Sequence, residues 1–205
     1  MRLILASASP ARLEVLRSAG IEPVVRVSGV DEDALTATLT DAPPAELVTA
    51  LATAKAHTVA GDIATEHPNA VVVGCDSMLH IGGELVGKPG CADVALRRWQ
   101  AMAGGTGELL TGHAVVRLDQ GIRTATASGA QSTVIRFSTP STEEIAAYVG
   151  TGEPLQVAGG FTLDGRGGWF VDGIDGDPSS VIGISLPLTR RLLAEVGVPV
   201  VSLWS

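Results

Sequence analysis

The chain has 205 residues, 45% of them hydrophobic and only 3% aromatic, with 22 acidic side chains against 14 Lys and Arg and a formal net charge of −8. That length predicts one domain, residues 1–205, with a core of Val, Leu, Ile and Ala. The acidic balance argues against a nucleic-acid surface, which needs clustered cations to neutralise phosphates, but leaves room for a small phosphorylated ligand. Two cysteines, Cys75 and Cys91, make no disulfide framework and predict reduced thiols. Met1–Leu5 is too short for a signal-peptide core and no apolar run reaches membrane-spanning length, so the expectation is a cytoplasmic chain without membrane contact.

Leu3-Ile4-Leu5-Ala6 predicts a short buried strand. Ser9 as N-cap, Pro10 at the first helical position and Gly20 as a stop predict a helix over 11–19, with Leu13 and Leu16 inward. A strand entering a helix through Ser7-Ala8-Ser9 is a ready anion site, because free amides, hydroxyls and the positive dipole end converge there. Arg12 sits in that first turn against the dipole, so it is either beside a bound anion or a solvated surface cation. Residues 24–27 predict a second strand, and Asp31-Glu32-Asp33 reads as a solvated acidic turn. A helix over 44–59 puts Leu47, Leu51 and Lys55 on one stripe. Lys55 then either snorkels to water or reaches a buried anion, and its replacement by Ala is expected to leave stability unchanged or slightly raised.

The segment Val71-Val72-Val73-Gly74-Cys75-Asp76-Ser77 predicts a central strand, buried on both faces and ending at Gly74. Asp76 then lies just past the strand end, where α/β sheets place ligand crevices, or else caps a turn. After a short hairpin, Gly87-Lys88-Pro89 is a fixed-geometry turn that aims a lysine. An acid and a lysine so arranged suggest a site that handles a metal and a phosphate.

Residues 92–102 predict a helix with Ala95, Trp99 and Met102 on one face. Residues 109–118 and 126–137 predict strands joined by Asp119-Gln120-Gly121, and Ser141-Thr142-Glu143-Glu144 is a capping box that opens a helix through Val149. The tract 158–183 holds eight glycines interleaved with hydrophobic residues such as Phe161, Trp169 and Ile174. Hairpin turns, or close backbone approach to a ligand around Asp164, are the two uses for so many glycines. Ser185 and Pro187 open a last helix that Gly197 stops, and residues 198–201 predict an edge strand.

Several alternatives fail on their residues. Gly82 to Pro89 nearly matches the phosphate-binding pattern G-x-x-x-x-G-K-[ST], but Pro89 supplies neither hydroxyl nor N–H. His57, His67, His80 and His113 show no ligand spacing, and two cysteines build no zinc site. Cys75 has no histidine near it in sequence and reads as a small core hydrophobe rather than a nucleophile.

Together, Ser7-Ala8-Ser9-Pro10-Ala11-Arg12, Asp31-Glu32, Leu51 to Ala56, Gly74-Cys75-Asp76-Ser77, Gly87-Lys88-Pro89, Ala158-Gly159-Gly160-Phe161, Asp175-Gly176-Asp177 and Val181-Ile182-Gly183 to Leu186-Pro187-Leu188 resemble the Maf family of nucleotide pyrophosphatases, in order and almost end to end. One departure is that the family's G-L-P-L is broken by Ile184-Ser185. The resemblance implies an α/β fold, a central mixed twisted sheet flanked by helices, in two lobes around a nucleotide cleft. It implies hydrolysis of a nucleoside triphosphate between the α and β phosphates, with Mg²⁺ or Mn²⁺, in nucleotide-pool housecleaning with a link to division arrest, and it is compatible with a homodimer. Carried onto this sequence, Ser7, Ser9 and Arg12 hold phosphate, Lys55 and Lys88 neutralise charge on the bridging and leaving oxygens, and Glu32 and Asp76 hold the metal. Asp76 also orients or deprotonates the attacking water. The rival readings are a nucleotide-binding regulator without turnover and another phosphate-ester hydrolase.

Base preference is the second departure. The family's dTTP/UTP branch has an arginine after S-x-S-P, a threonine after the catalytic aspartate and a glutamine in the glycine tract; here those positions hold Ala11, Ser77 and Asp164. A carboxylate only accepts hydrogen bonds, so Asp164 is expected to disfavour the O4 edge of uracil or thymine and to favour guanine or cytosine. The family's 7-methylguanine branch has an acid at the matching place, but its tryptophan before the arginine is Ala11 here.

Overall fold

The computed structural model describes residues 1–205. In chain order it contains β1 (Arg2–Ala6), α1 (Pro10–Ser18), β2 (Val24–Val25), α2 (Glu32–Ala37), α3 (Pro44–Asp62), β3 (Ala70–Ile81), β4 (Glu84–Val86), α4 (Ala92–Met102), β5 (Thr106–Asp119), β6 (Ile122–Phe137), α5 (Thr142–Gly150), β7 (Val171–Asp175), α6 (Pro178–Ile182) and α7 (Leu186–Glu195). The strands form one seven-stranded sheet in the order β2-β1-β3-β5-β6-β7, with β4 paired to β3. β1 is parallel to both β2 and β3, whereas β3 with β4 and β6 with β7 are antiparallel. The sheet is therefore mixed and flanked by helices. The chain divides into two compact units, residues 1–76, 111–131 and 183–205 in the first and residues 77–110 and 132–182 in the second.

The first unit has apolar layers on both faces of its sheet. Side chains alternate along a strand, so Leu3, Leu5, Val71 and Val73 point to one face and Ile4, Ala6, Val72 and Ala70 to the other. The first face packs on Leu16 of α1 and on Leu188 and Leu192 of α7. The second packs on Ala52, Ala56, Val59 and Ala60 of α3. Burial on both faces is why these strands read as unbroken apolar runs. The row of alanines lets α3 lie very close. A Cβ at Gly74 would stand 2.4 Å from the Ala52 carbonyl oxygen, and one at Gly112 would stand 2.1 Å from that of Val48.

The second unit departs from the composition-based expectation of an aliphatic core. Its centre is Trp99, wholly buried, with edge-to-face partners Tyr148, Phe170 and Phe137 at centroid distances of 5.5, 5.6 and 5.8 Å. The indole N–H donates to the Gly160 carbonyl at 2.8 Å. The few aromatic residues are thus concentrated in one place, which a whole-chain percentage cannot reveal.

Several local expectations change. β3 does not stop at Gly74 but runs on to Ile81. Gly74 is there for the approach of α3, not to end the strand, so Asp76 sits inside β3 rather than past its end. Asp31-Glu32-Asp33 is not a turn: the Asp31 carboxylate accepts from the Ala34 N–H at 2.9 Å and opens α2. The glycine tract contains 3₁₀ turns at Ala158–Gly160 and Arg166–Phe170, then β7 and α6, rather than a series of hairpins. Residues 200–203 form a 3₁₀ turn, not an edge strand, because Pro199 and the preceding left-handed Gly197 turn the chain away. The helices at 10–18 and 92–102, the capping box at Ser141 and the tight turn at Gln120-Gly121 are as expected.

Candidate active site

The site in the first unit is built where β1, α1, α3 and β3 bring polar groups to the ends of apolar stripes. Ser9 caps α1, its Oγ accepting from the Arg12 N–H at 3.4 Å, and Pro10 occupies the first helical position. Ser7 Oγ accepts from the Ser9 N–H at 3.2 Å and from Arg12 Nη1 at 3.1 Å. Both serines act as acceptors in these contacts, so each keeps its hydroxyl proton as a donor. Ala11 is half-buried in the first turn.

Arg12 is not a solvated surface cation. Its Nε donates to the Gly183 carbonyl at 2.8 Å and its Nη1 to the Cys75 carbonyl at 2.9 Å, besides Ser7. The guanidinium ties the turn after β1 to β3 and to the segment before α7. Neither carbonyl partner is legible in the sequence, since a carbonyl has no residue type.

Asp76 follows Val72 and Gly74 on the face of β3 that meets α3, and Lys55 follows Leu47 and Leu51 on the stripe of α3 that meets β3. The two meet: Lys55 Nζ lies 2.6 Å from Asp76 Oδ1 and 2.8 Å from Glu32 Oε1. Lys55 and Asp76 are 7% and 6% exposed, so the ammonium reaches a buried anion rather than snorkelling. Burial pushes the Asp76 carboxyl above the usual carboxylate value, against the opposing pull of Lys55 and Arg12. Such a carboxylate holds a proton more readily than an ordinary one. Cys75, beside it, is no nucleophile: burial pushes its thiol up to about 11.

Ser77, Lys88 and Asp164 belong to the second unit. Ser77 is half-buried in β3, directly after Asp76. Lys88 is exposed on a turn pinned from both sides: the Gly87 carbonyl accepts from Arg98 Nη1 at 2.7 Å and from the Gly159 N–H at 3.2 Å, while Pro89 is buried. Asp164 is exposed. Its loop is organised by Glu153, whose Oε1 accepts from Thr162 Oγ1 at 2.5 Å and from the Gly167 N–H at 3.1 Å. Burial alone would raise Glu153, but those donors hold its carboxyl below the usual range. Glu153 is a structural anchor that no sequence pattern announces.

Glu32 and Asp76 fit a divalent cation. Both converge on one point of positive charge, the Lys55 ammonium, and offer only hard oxygen donors. No group of three His, Cys, Asp or Glu side chains is placed to hold a metal. Two carboxylates, with phosphate oxygens and waters completing the shell, are how Mg²⁺ is usually held at phosphate sites, whereas a closed all-protein cage is not. No helix is long and apolar enough to cross a membrane.

Residues 2–196 match the family of Maf-like proteins. A relative from Saccharopolyspora erythraea is 66% identical over 205 residues, covering 100% of this chain and 97% of the relative. Relatives from Rhodococcus jostii and Nocardia farcinica are 62% and 61% identical, each covering 98% of this chain and 95% and 96% of their own lengths. All three bear the name nucleoside triphosphate pyrophosphatase. With its mixed sheet and a match that runs through both units, the chain belongs to the Maf-like protein family.

Proposed function

We propose that this chain hydrolyses nucleoside triphosphates between the α and β phosphates, releasing a nucleoside monophosphate and pyrophosphate. The observation that carries the reading is the Lys55 ammonium held between Asp76 and Glu32, with the Arg12 guanidinium bonded to Ser7 and to the carbonyl of Cys75, the residue before Asp76. A binding protein has no use for an acid held where it can activate water, whereas a hydrolase needs one. The family match spans residues 2–196 and supports treating both units as one catalytic domain.

The triphosphate is received by the hydroxyls of Ser7 and Ser9, the first turn of α1 and the Arg12 guanidinium. Lys55 leaves its carboxylate partners for the phosphate oxygens, and Lys88 joins it there, balancing the charge that builds on the bridging and leaving oxygens. Asp76 orients a water molecule and receives its proton. The water oxygen bonds to phosphorus on one side of the bridge, the anhydride bond breaks, and the bridging oxygen leaves with the other product. Glu32 and Asp76 would hold a divalent cation, Mg²⁺ or Mn²⁺, which would neutralise phosphate charge and lower the pKa of water. Net charge of −8 suits a free nucleotide better than a polymer, and the free thiols of Cys75 and Cys91 suit the cytoplasm.

Base preference is set by Asp164, Ala11 and Ser77. Asp164 offers only acceptors, which suits the N1–H and N2–H₂ edge of guanine or the N4–H₂ of cytosine and repels the O4 of uracil and thymine. Ala11 leaves room, so discrimination is loose. The test is a panel of nucleoside triphosphates with and without Mg²⁺ or Mn²⁺, scored for pyrophosphate and orthophosphate. Metal-dependent pyrophosphate release, lowest with dTTP and UTP, is expected; release of orthophosphate, or strict selectivity for dTTP and UTP, contradicts the reading.

A further inference from the structure

His113 is the one wholly buried histidine, on β5 in the first unit, and the chemistry above does not use it. Its Nδ1 lies 3.0 Å from the Thr111 carbonyl oxygen and its Nε2 lies 2.8 Å from the Ser185 backbone nitrogen. A carbonyl only accepts and a peptide N–H only donates, so Nδ1 carries the proton and Nε2 accepts. The ring is therefore neutral and fixed in one tautomer.

The Ser185 bond has a specific purpose. Ser185 is the N-cap of α7, its Oγ accepting from the Leu188 N–H at 3.1 Å. In a capping box, an acid at the third helical position accepts the cap's own N–H, as Glu144 does for Ser141 at 2.7 Å in α5. In α7 that position is Leu188, which has no acceptor, and His113 supplies one from a neighbouring strand. Two residues before the cap, Gly183 sits at φ +138 and offers its carbonyl to Arg12 Nε. Ile184, between them, is wholly buried, and a Cβ at Gly183 would stand 3.1 Å from Arg12 Cγ. The segment has no slack: a displaced Ser185 N–H moves the Gly183 carbonyl, and that carbonyl is what aims Arg12.

We propose that His113 is a positioning residue for triphosphate binding, acting through Ser185 and Gly183 on the Arg12 guanidinium. The inference rests on the reading of Arg12 as a phosphate-binding residue. An apolar side chain at 113 would leave the Ser185 N–H buried without a partner and release Arg12. Glutamine is the conservative replacement, since its amide oxygen falls near the position of Nε2 and can still accept from Ser185.

The test compares kcat and KM for His113→Leu, His113→Gln and Arg12→Ala, alone and with His113→Leu combined with Arg12→Ala, each corrected for folded protein by circular dichroism. His113→Leu is expected to raise KM on the order of tenfold, as loss of a charge-assisted contact would, with a smaller change in kcat. His113→Gln is expected to restore most of the difference. In the Arg12→Ala background, His113→Leu is expected to add less than about a twofold loss, because residues acting as one unit are not additive. If His113→Leu does not fold, His113→Asn, too short to reach Ser185, takes its place. A wild-type KM in the folded loss variant, or losses that multiply in the Arg12→Ala background, would overturn the inference. Failure of the underlying reading looks different: Arg12→Ala itself would then keep a wild-type KM, and both would fall.

Discussion

Gly74 lies against Ala52 so closely that a Cβ on the glycine would stand 2.4 Å from the alanine carbonyl oxygen. Ala52 is three residues before Lys55 on α3, and Gly74 is two residues before Asp76 on β3. The close crossing of helix and strand at that pair is what brings the ammonium and the carboxylate to 2.6 Å one step further along. The glycine acts through geometry alone, by letting the helix come close enough for that contact.

Gly74→Ala is accordingly expected to destabilise the fold by about 3 kcal/mol, the range of overpacking in a closed core, and to abolish activity in whatever remains folded. In an open strand the same change would stabilise. Urea unfolding followed by circular dichroism reads the difference, and a midpoint equal to or above wild type would refute the account of α3 packing.

Much of this was legible beforehand because the signals are local. Ser9, Pro10 and Gly20 bound α1, and Ser141 with Glu144 opens α5, through caps that depend only on neighbouring residues. The stripe Leu47, Leu51, Lys55 already placed the lysine on the inner face of α3. What the sequence could not show is longer in range. Gly74 reads as a strand stop unless the Ala52 carbonyl is known to press on it. Arg12 reads as a cation beside a bound anion or as a solvated one, and neither reading shows the carbonyls of Cys75 and Gly183 that hold it. The aromatic centre around Trp99 gathers residues from 99 to 170, and no composition figure gives their position.

Lys55 reverses one expectation. On an apolar stripe alone, its removal looked neutral or stabilising. Paired with Asp76 in a buried setting, its removal strands a carboxylate, and Lys55→Met is expected to cost about 3 kcal/mol at pH 8. Asp76 is already above the ordinary value, and losing Lys55 raises it further. A raised carboxyl binds protons in the folded state that the unfolded state lacks, so the deficit shrinks as pH falls through its pKa toward the ordinary aspartate value. Thermal melts of variant and wild type from pH 8 to pH 5 check this. A deficit that grows toward acid would contradict the pairing. The same variant is expected to bind Mn²⁺ more tightly without nucleotide, by calorimetry, since nothing then competes for Glu32 and Asp76.

The two thiols are expected to separate cleanly. Cys75 is buried with its thiol near 11, whereas Cys91 is exposed. Iodoacetamide at pH 8 is expected to label Cys91 alone in the folded protein and both residues in urea, read by peptide mass. Rapid labelling of Cys75 in the native protein would mean that β3 opens, and the closed core around Asp76 would be wrong.

Asp164→Gln restores a group that both donates and accepts, and is expected to raise kcat/KM for UTP and dTTP relative to GTP by about tenfold, one hydrogen bond's difference between base edges. Asp164 is exposed, so stability should be unaffected. An unchanged preference would show that Asp164 only shapes its turn before Gly165.

The most direct measurement is product analysis of wild type and Asp76→Asn side by side, with one nucleoside triphosphate and Mg²⁺. Wild type is expected to release nucleoside monophosphate and pyrophosphate in equal amounts with no orthophosphate. Asp76→Asn keeps an oxygen for Lys55 to contact and is expected to fold with a melting temperature within a few degrees of wild type. Its kcat is expected to fall by on the order of a hundredfold or more. Orthophosphate as the product, or near-normal turnover in a folded Asp76→Asn protein, would contradict the assignment of this site.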